Sequence, residues 1–183
     1  MFDIHSLDDL AALRESHELE CKLAKGQDGQ GEVPKDFWPT YSAMANAHGG
    51  VVLLGVREKN GVFSVAGLPN PAKVRADLFN NLNNPGKVST NLLSDADVQE
   101  VVLNGQTVLK VTIPPATRQQ KPVYLNGQPL GHTYRRLNDG DRQCDDATVK
   151  RMLAEQLEDS RDTRILNRFG LQDIDLESLH AYR

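Results

Sequence analysis

Ser42-Ala43-Met44-Ala45-Asn46-Ala47-His48-Gly49-Gly50-Val51-Val52-Leu53-Leu54-Gly55-Val56 is the stretch on which the fold turns, because its hydrophobic period changes in the middle. The first half continues a helical stripe that begins at Phe37 and Tyr41 and runs through Met44 or Ala45 to His48. Asp36 stands at the N-cap position of that helix. Pro39 is tolerated in the first turn, where its missing N–H has no intrahelical partner. Gly49-Gly50 stops the helix and permits a sharp reversal with positive φ. The next six residues, 51–56, are apolar except for Gly55, which predicts a strand buried on both faces. Asn46, at the fraying end of the helix, is placed to bond neighbouring backbone.

Working outward, residues 17–23 alternate with period two. Leu19, Cys21 and Leu23 share one face, and Glu18, Glu20 and Lys22 share the other, so a half-buried strand with a solvated polar face is expected. Before it, Ser6 and Asp9 resemble a capping box, and Leu7, Leu10, Ala11 and Leu13 mark a short helix within residues 1–14. After it, Gly26, Gly29 and Gly31 alternate with polar residues in a stretch read as a mobile, unpacked loop. Three Asn-Gly pairs predict hairpin turns. Asn60-Gly61 leads into residues 62–65, Asn104-Gly105 joins 98–103 to 107–113, and Asn126-Gly127 joins 123–125 to 132–137. Asn70-Pro71 opens a helix carrying Val74, Leu78 and Leu82, which Pro85 ends. Asp145 or Asp146 caps a last domain helix with Val149, Met152, Leu153 and Leu157 inward. Residues 158–168 read as a linker, and a helical pattern from Asp175 runs out at Arg183 without a C-cap, so the natural protein is expected to continue. The fold class is α+β, a mixed, largely antiparallel sheet with helices packed against it. The divisions are an N-terminal helix over 1–14, one domain over 15–158, and a linker with the start of a following region over 159–183.

The formal net charge of −4 excludes an all-over attraction to nucleic acid, so any phosphate contact must be local. Basic residues gather at Lys22 with Lys25, from Lys110 to Lys121 with Arg118 between, and at Arg135-Arg136 followed by Arg142. Cys21 and Cys144 are far apart and lack a CxxC pattern, which argues against a zinc knuckle or disulfide framework and for reduced thiols in the cytoplasm. No apolar run approaches the roughly 20 residues that span a bilayer, so no membrane partner is expected. No GxxxxGK[ST] loop, GxSxG elbow or histidine pair at metal-ligand spacing occurs.

The quoted stretch resembles the hallmark of the Schlafen AlbA-type domain, an A-x-A-N-x-x-G-G-x-x-x-x-G-V pattern. Glu15-Ser16-His17-Glu18-Leu19-Glu20-Cys21-Lys22 is similar to the family's opening strand, with Cys21 where an aromatic is usual. Val111-Thr112-Ile113-Pro114 and Thr133-Tyr134-Arg135-Arg136 resemble its later strands. The resemblance spans residues 15–158. The tail is similar to the junction in bacterial members that continue into an ATPase-like or GHKL-like region and a winged helix, proteins described as transcriptional regulators.

The resemblance implies a motif built on Asn46, Gly49, Gly50 and Gly55. By position, the nuclease members' carboxylates fall on Glu15, Glu20 and Glu58, which would hold Mg²⁺ or Mn²⁺ to activate water against a phosphodiester. The acid that usually follows the G-V pair is here Arg57, with Glu58 one place later and therefore on the opposite face of an extended chain. The leading expectation is a non-catalytic domain that binds DNA or RNA through a basic edge of Lys22, Lys121, Arg135 and Arg136, without a cofactor and as a homo-oligomer. One alternative is a metal-dependent ribonuclease or tRNA nuclease on Glu15, Glu20 and Glu58. The other is a dimerisation module of an ATPase-like regulator.

Overall fold

A computed structural model describes residues 19–26, 29–137 and 140–162, with side chains through Leu157. The expected helix over 1–14, the carboxylates Glu15 and Glu18, and the tail 163–183 lie outside the described residues. Strand β1 (Leu19–Lys22) leads through a loop to helix α1 (Phe37–Asn46), which returns the chain to β2 (Gly50–Leu54), parallel to β1 with Leu19 opposite Val51. The hairpin β5 (Val98–Leu103) and β6 (Gln106–Ile113) completes a four-stranded sheet in the order β1-β2-β6-β5, with β6 antiparallel to both of its neighbours. The fold is therefore α+β with a mixed, largely antiparallel sheet, and β2 lies in its interior directly after α1, as the sequence predicts.

Alternation along β2 distributes the core. Val52 and Leu54 pack with Phe37, Tyr41 and Met44 of α1 and with Val74, Leu78 and Leu82 of α2 (Pro71–Leu82). Val51 and Leu53 face the opposite way, against Val56, Phe63 and Val65 of a second hairpin, β3 (Val56–Lys59) with β4 (Val62–Val65). The single strand expected over residues 51–56 is thus two strands. They are divided at Gly55, whose φ of +99° breaks the extended run and whose N–H bonds Lys22 O at 2.9 Å. Gly49 has φ +83°, and a Cβ there would lie 2.5 Å from Ile113 O, so only glycine fits this crossing.

Asn60, Asn104 and Asn126 all adopt positive φ and each is followed by a positive-φ glycine, as the Asn-Gly turns require. Asn70 caps α2 by accepting the Lys73 N–H at 3.0 Å, with Pro71 in the first helical position. Several expectations need correction. The third Asn-Gly turn does not join two strands of one hairpin: only a single bridge, Tyr124 to Thr133, forms across it, and β7 (Tyr134–Leu137) pairs instead with β8 (Gly140–Gln143). His48 is exposed rather than in the core stripe, because α1 has already ended at Asn46. Gly31, read as part of an unpacked loop, is buried against Val74 and donates to Lys25 O at 2.9 Å. Helix α3 (Asp146–Asp162) continues into the stretch read as linker. Val149 and Met152 are buried, but Leu157 is 62% exposed. Asp145 caps it, its carboxylate accepting Thr148 N–H at 2.7 Å and lying below the usual carboxylate range through that bond. Among the described residues no helix is long and apolar enough to cross a membrane.

Candidate nucleic-acid interface

Every residue of helix α1 except Pro39 is buried, including the polar Thr40, Ser42 and Asn46. A buried polar side chain must find partners, and these three find theirs in the segments that cover the helix. Asn46 Nδ2 donates to Val123 O at 2.8 Å and Tyr134 O at 2.9 Å, while its Oδ1 accepts Val123 N–H at 2.8 Å. Ser42 Oγ donates to Val123 O at 2.7 Å and accepts Tyr134 N–H at 3.0 Å. Spaced four apart on one helix face, Ser42 and Asn46 clamp the chain on either side of the third Asn-Gly turn. This fixes where β7 begins.

Period two then sorts the side chains of the β7–β8 hairpin. Tyr134 and Arg136 belong to the inward face, Arg135 to the outward one. Arg136 donates to Asp141, its partner across the strands, at 2.9 Å and to Glu20 of β1 at 3.0 Å. Glu20 also meets Lys22 at 3.5 Å, Lys22 meets Asp36 at 3.0 Å, and Asp141 accepts the Thr40 hydroxyl at 2.6 Å. The expected solvated face of β1 is therefore covered. Lys22 is only 8% exposed, and Asp36, at the N-cap position of α1, makes no side-chain cap bond and pairs with Lys22 instead. Burial works against the Arg136 charge, yet the bonds and charges of Asp141 and Glu20 outweigh it and hold its pKa above the ordinary arginine value. Thr40, Ser42 and Asp141 were not singled out in the sequence. The four-residue spacing of Ser42 and Asn46 was the one signal available.

On the outward face, Arg135 stands directly opposite Arg142. Register partners share a face with Cβ atoms about 5 Å apart, and like charges so placed repel. Neither arginine has an ion-pair partner among the described residues. Lys121 lies near enough that its pKa falls below the ordinary lysine value, first through burial and then through the Arg135 charge, with Glu155 of α3 opposing. Its ammonium donates to Ala47 O at 3.5 Å. Of the four basic residues read from the sequence, the structure thus brings Lys121 and Arg135 together, joins Arg142 to them, and places Lys22 and Arg136 inside an ion network.

Of the carboxylates read from the sequence as metal ligands, Glu20 and Glu58 are among the described residues. Glu58 is exposed on β3 beside the exposed Arg57, while Glu20 is turned toward Lys22 and Arg136. Both lie close to Cys21, whose thiol is pushed up to about 12 by burial first and by the Glu58 and Glu20 charges next. Among the described residues no three His, Cys, Asp or Glu side chains group as a metal site, and Glu15 lies outside them.

Comparisons with known proteins place this geometry. No curated protein matches the chain. The N-terminal domain of an ATP-dependent DNA helicase RecG-related protein from Nitrosomonas europaea, solved in solution by NMR, is 33% identical over 75% of this chain and 90% of its own, with a TM-score of 0.53. The crystal structure of the DIP2311 protein from Corynebacterium diphtheriae shares the fold at 19% identity and TM-score 0.53, over 82% of this chain and 28% of that one. The model of the family described as Schlafen, AlbA_2 matches residues 15–145, which carry the Asn46 clamp, both glycine turns and the β7–β8 hairpin. The chain belongs to the Schlafen AlbA_2 family.

Proposed function

We propose that this domain binds nucleic acid, as the recognition part of a transcriptional regulator, by gripping backbone phosphate between Arg135 and Arg142 with Lys121 alongside. The observation that carries the reading is an arginine pair with no ion-pair partner among the described residues. Two like charges in cross-strand register cost stability unless an anion sits between them, and a guanidinium fork matches phosphate oxygens. The RecG-related relative, a protein described by a DNA helicase, supports a nucleic-acid role at 33% identity. With a net charge of −4, the attraction is confined to this face. Cleavage is not part of the reading, since Glu20 is held by two cations that would compete with a metal ion.

Fluorescence anisotropy with a labelled DNA duplex and a structured RNA, with and without Mn²⁺, tests this. Charge-assisted bonds contribute about 1.5–3 kcal/mol each, so Arg135→Ala/Arg142→Ala weakens binding by about a hundredfold or more. Equal affinity of the variant and the parent overturns the proposal, and metal-dependent cleavage lost in Glu20→Ala replaces it with the nuclease reading.

A further inference from the structure

A pocket of about 440 Å³ opens on the other side of β7, between α1, the α2 helix and the third Asn-Gly turn. Its size suits a small ligand. Half-buried Tyr134 and the buried Trp38, Val33 and Leu125 all line it. Lys87 holds its ammonium 5.2 Å from the centre of the Trp38 ring, a cation–π contact, and Lys35 has no ion-pair partner among the described residues. Asn81 donates to both Asp77 O at 2.8 Å and Asp77 Oδ1 at 2.9 Å, which leaves its carbonyl oxygen as the group it offers a ligand. The other Asp77 oxygen accepts Val33 N–H at 3.2 Å, so that carboxylate is already engaged. Glu32, exposed at the rim, has no cationic partner among the described residues.

These groups ask for four things of one ligand: a planar ring to lie against Tyr134, an N–H donor for Asn81, an anion for two ammonium groups, and a hydroxyl donor for Glu32. A nucleoside monophosphate has all four. We infer that this pocket binds a nucleoside monophosphate unit, its base against Tyr134 and its phosphate on Lys35 and on Lys87 above the Trp38 ring. The unit is either a free nucleotide or one nucleotide of a single strand. Tyr134 and Arg135 are adjacent and point to opposite faces of β7, so this site is separate from the proposed phosphate grip.

Trp38 is the only tryptophan in the chain, so its fluorescence reports on the pocket directly. The full chain is titrated with each of the four ribonucleoside monophosphates, with inorganic phosphate, and with a short single-stranded RNA, and the same titrations are followed by calorimetry. A saturable change with at least one nucleotide, weakened about tenfold by Lys35→Ala and again by Lys87→Ala, is expected. If the RNA also saturates the signal and a mononucleotide displaces it, the pocket takes a nucleotide within a chain. If only mononucleotides bind, it takes the free form. Absence of saturable signal and heat with every nucleotide, or binding indifferent to both lysines, overturns the inference. Arg135→Ala/Arg142→Ala leaves the Trp38 fluorescence response to mononucleotides unchanged, which separates failure here from failure of the phosphate grip.

Discussion

Arg135 and Arg136 are neighbours in sequence, and the structure assigns them opposite consequences when truncated. Arg136→Ala removes a guanidinium that is 11% exposed and holds Asp141 at 2.9 Å and Glu20 at 3.0 Å. Asp141 is then left with the Thr40 hydroxyl and Glu20 with Lys22 at 3.5 Å, and a network of three carboxylates against two cations becomes three against one. Removing one partner from a buried pair costs about 3–5 kcal/mol. Glu20 keeps 30% exposure and Asp141 19%, so water screens part of the loss and the lower end applies, about 3 kcal/mol. Arg135→Ala, with no ion pair to lose among the described residues, changes stability by no more than about 0.5 kcal/mol. Urea unfolding followed by circular dichroism measures both. An Arg136→Ala cost below about 1 kcal/mol, or an equal cost for Arg135→Ala, refutes the assignment of one arginine to the fold and the other to the surface.

Asn46→Ala leaves the Val123 N–H and the Tyr134 carbonyl without the partners they have at 2.8 and 2.9 Å; at about 1–3 kcal/mol for each orphaned group, unfolding should be easier by about 3 kcal/mol. Asn46→Asp should not rescue it, since a carboxylate cannot donate to the Tyr134 carbonyl, and full stability of either variant contradicts the clamp. With its thiol near 12, Cys21 should be alkylated by iodoacetamide at pH 8 on the order of a thousandfold more slowly than in the urea-unfolded chain, where parity contradicts the burial. Because the folded state holds that proton more tightly, its contribution to stability is full below the unfolded thiol's pKa and is lost as pH rises through the folded one. Lys121 should lose its proton below the ordinary lysine pKa, through burial and the Arg135 charge, so nucleic-acid affinity should fall through that titration. A bound phosphate should raise its pKa, and a Lys121 NMR titration unmoved by DNA contradicts the contact.

Much of this fold could be read from local chemistry. The Asn-Gly turns at residues 60–61 and 104–105, the Asn70-Pro71 helix start and the strand at residues 19–22 depend on neighbours in sequence, and each appears where the sequence puts it. What escaped depends on partners far along the chain. Lys22 looks like a surface lysine until Asp36 and the β7–β8 hairpin cover it. Gly140–Gln143 has no hydrophobic alternation to announce a strand, because its pairing face presents Asp141 to Arg136 rather than an apolar residue to the core. The candidate site shows the same division. The basic gathering at Arg135, Arg136 and Arg142 was visible, but which arginine faces outward follows from the register of β7 against β8, which no local pattern reveals.

The most direct test of the phosphate grip is the slope of log binding constant against log salt concentration for one DNA duplex. Each phosphate neutralised contributes about −0.9 to that slope. The account predicts that Arg135→Ala/Arg142→Ala, by releasing the one phosphate held between them, makes the slope shallower by about 1 while the unfolding free energy stays at or slightly above the parent value. An unchanged slope in a fully folded double variant contradicts it.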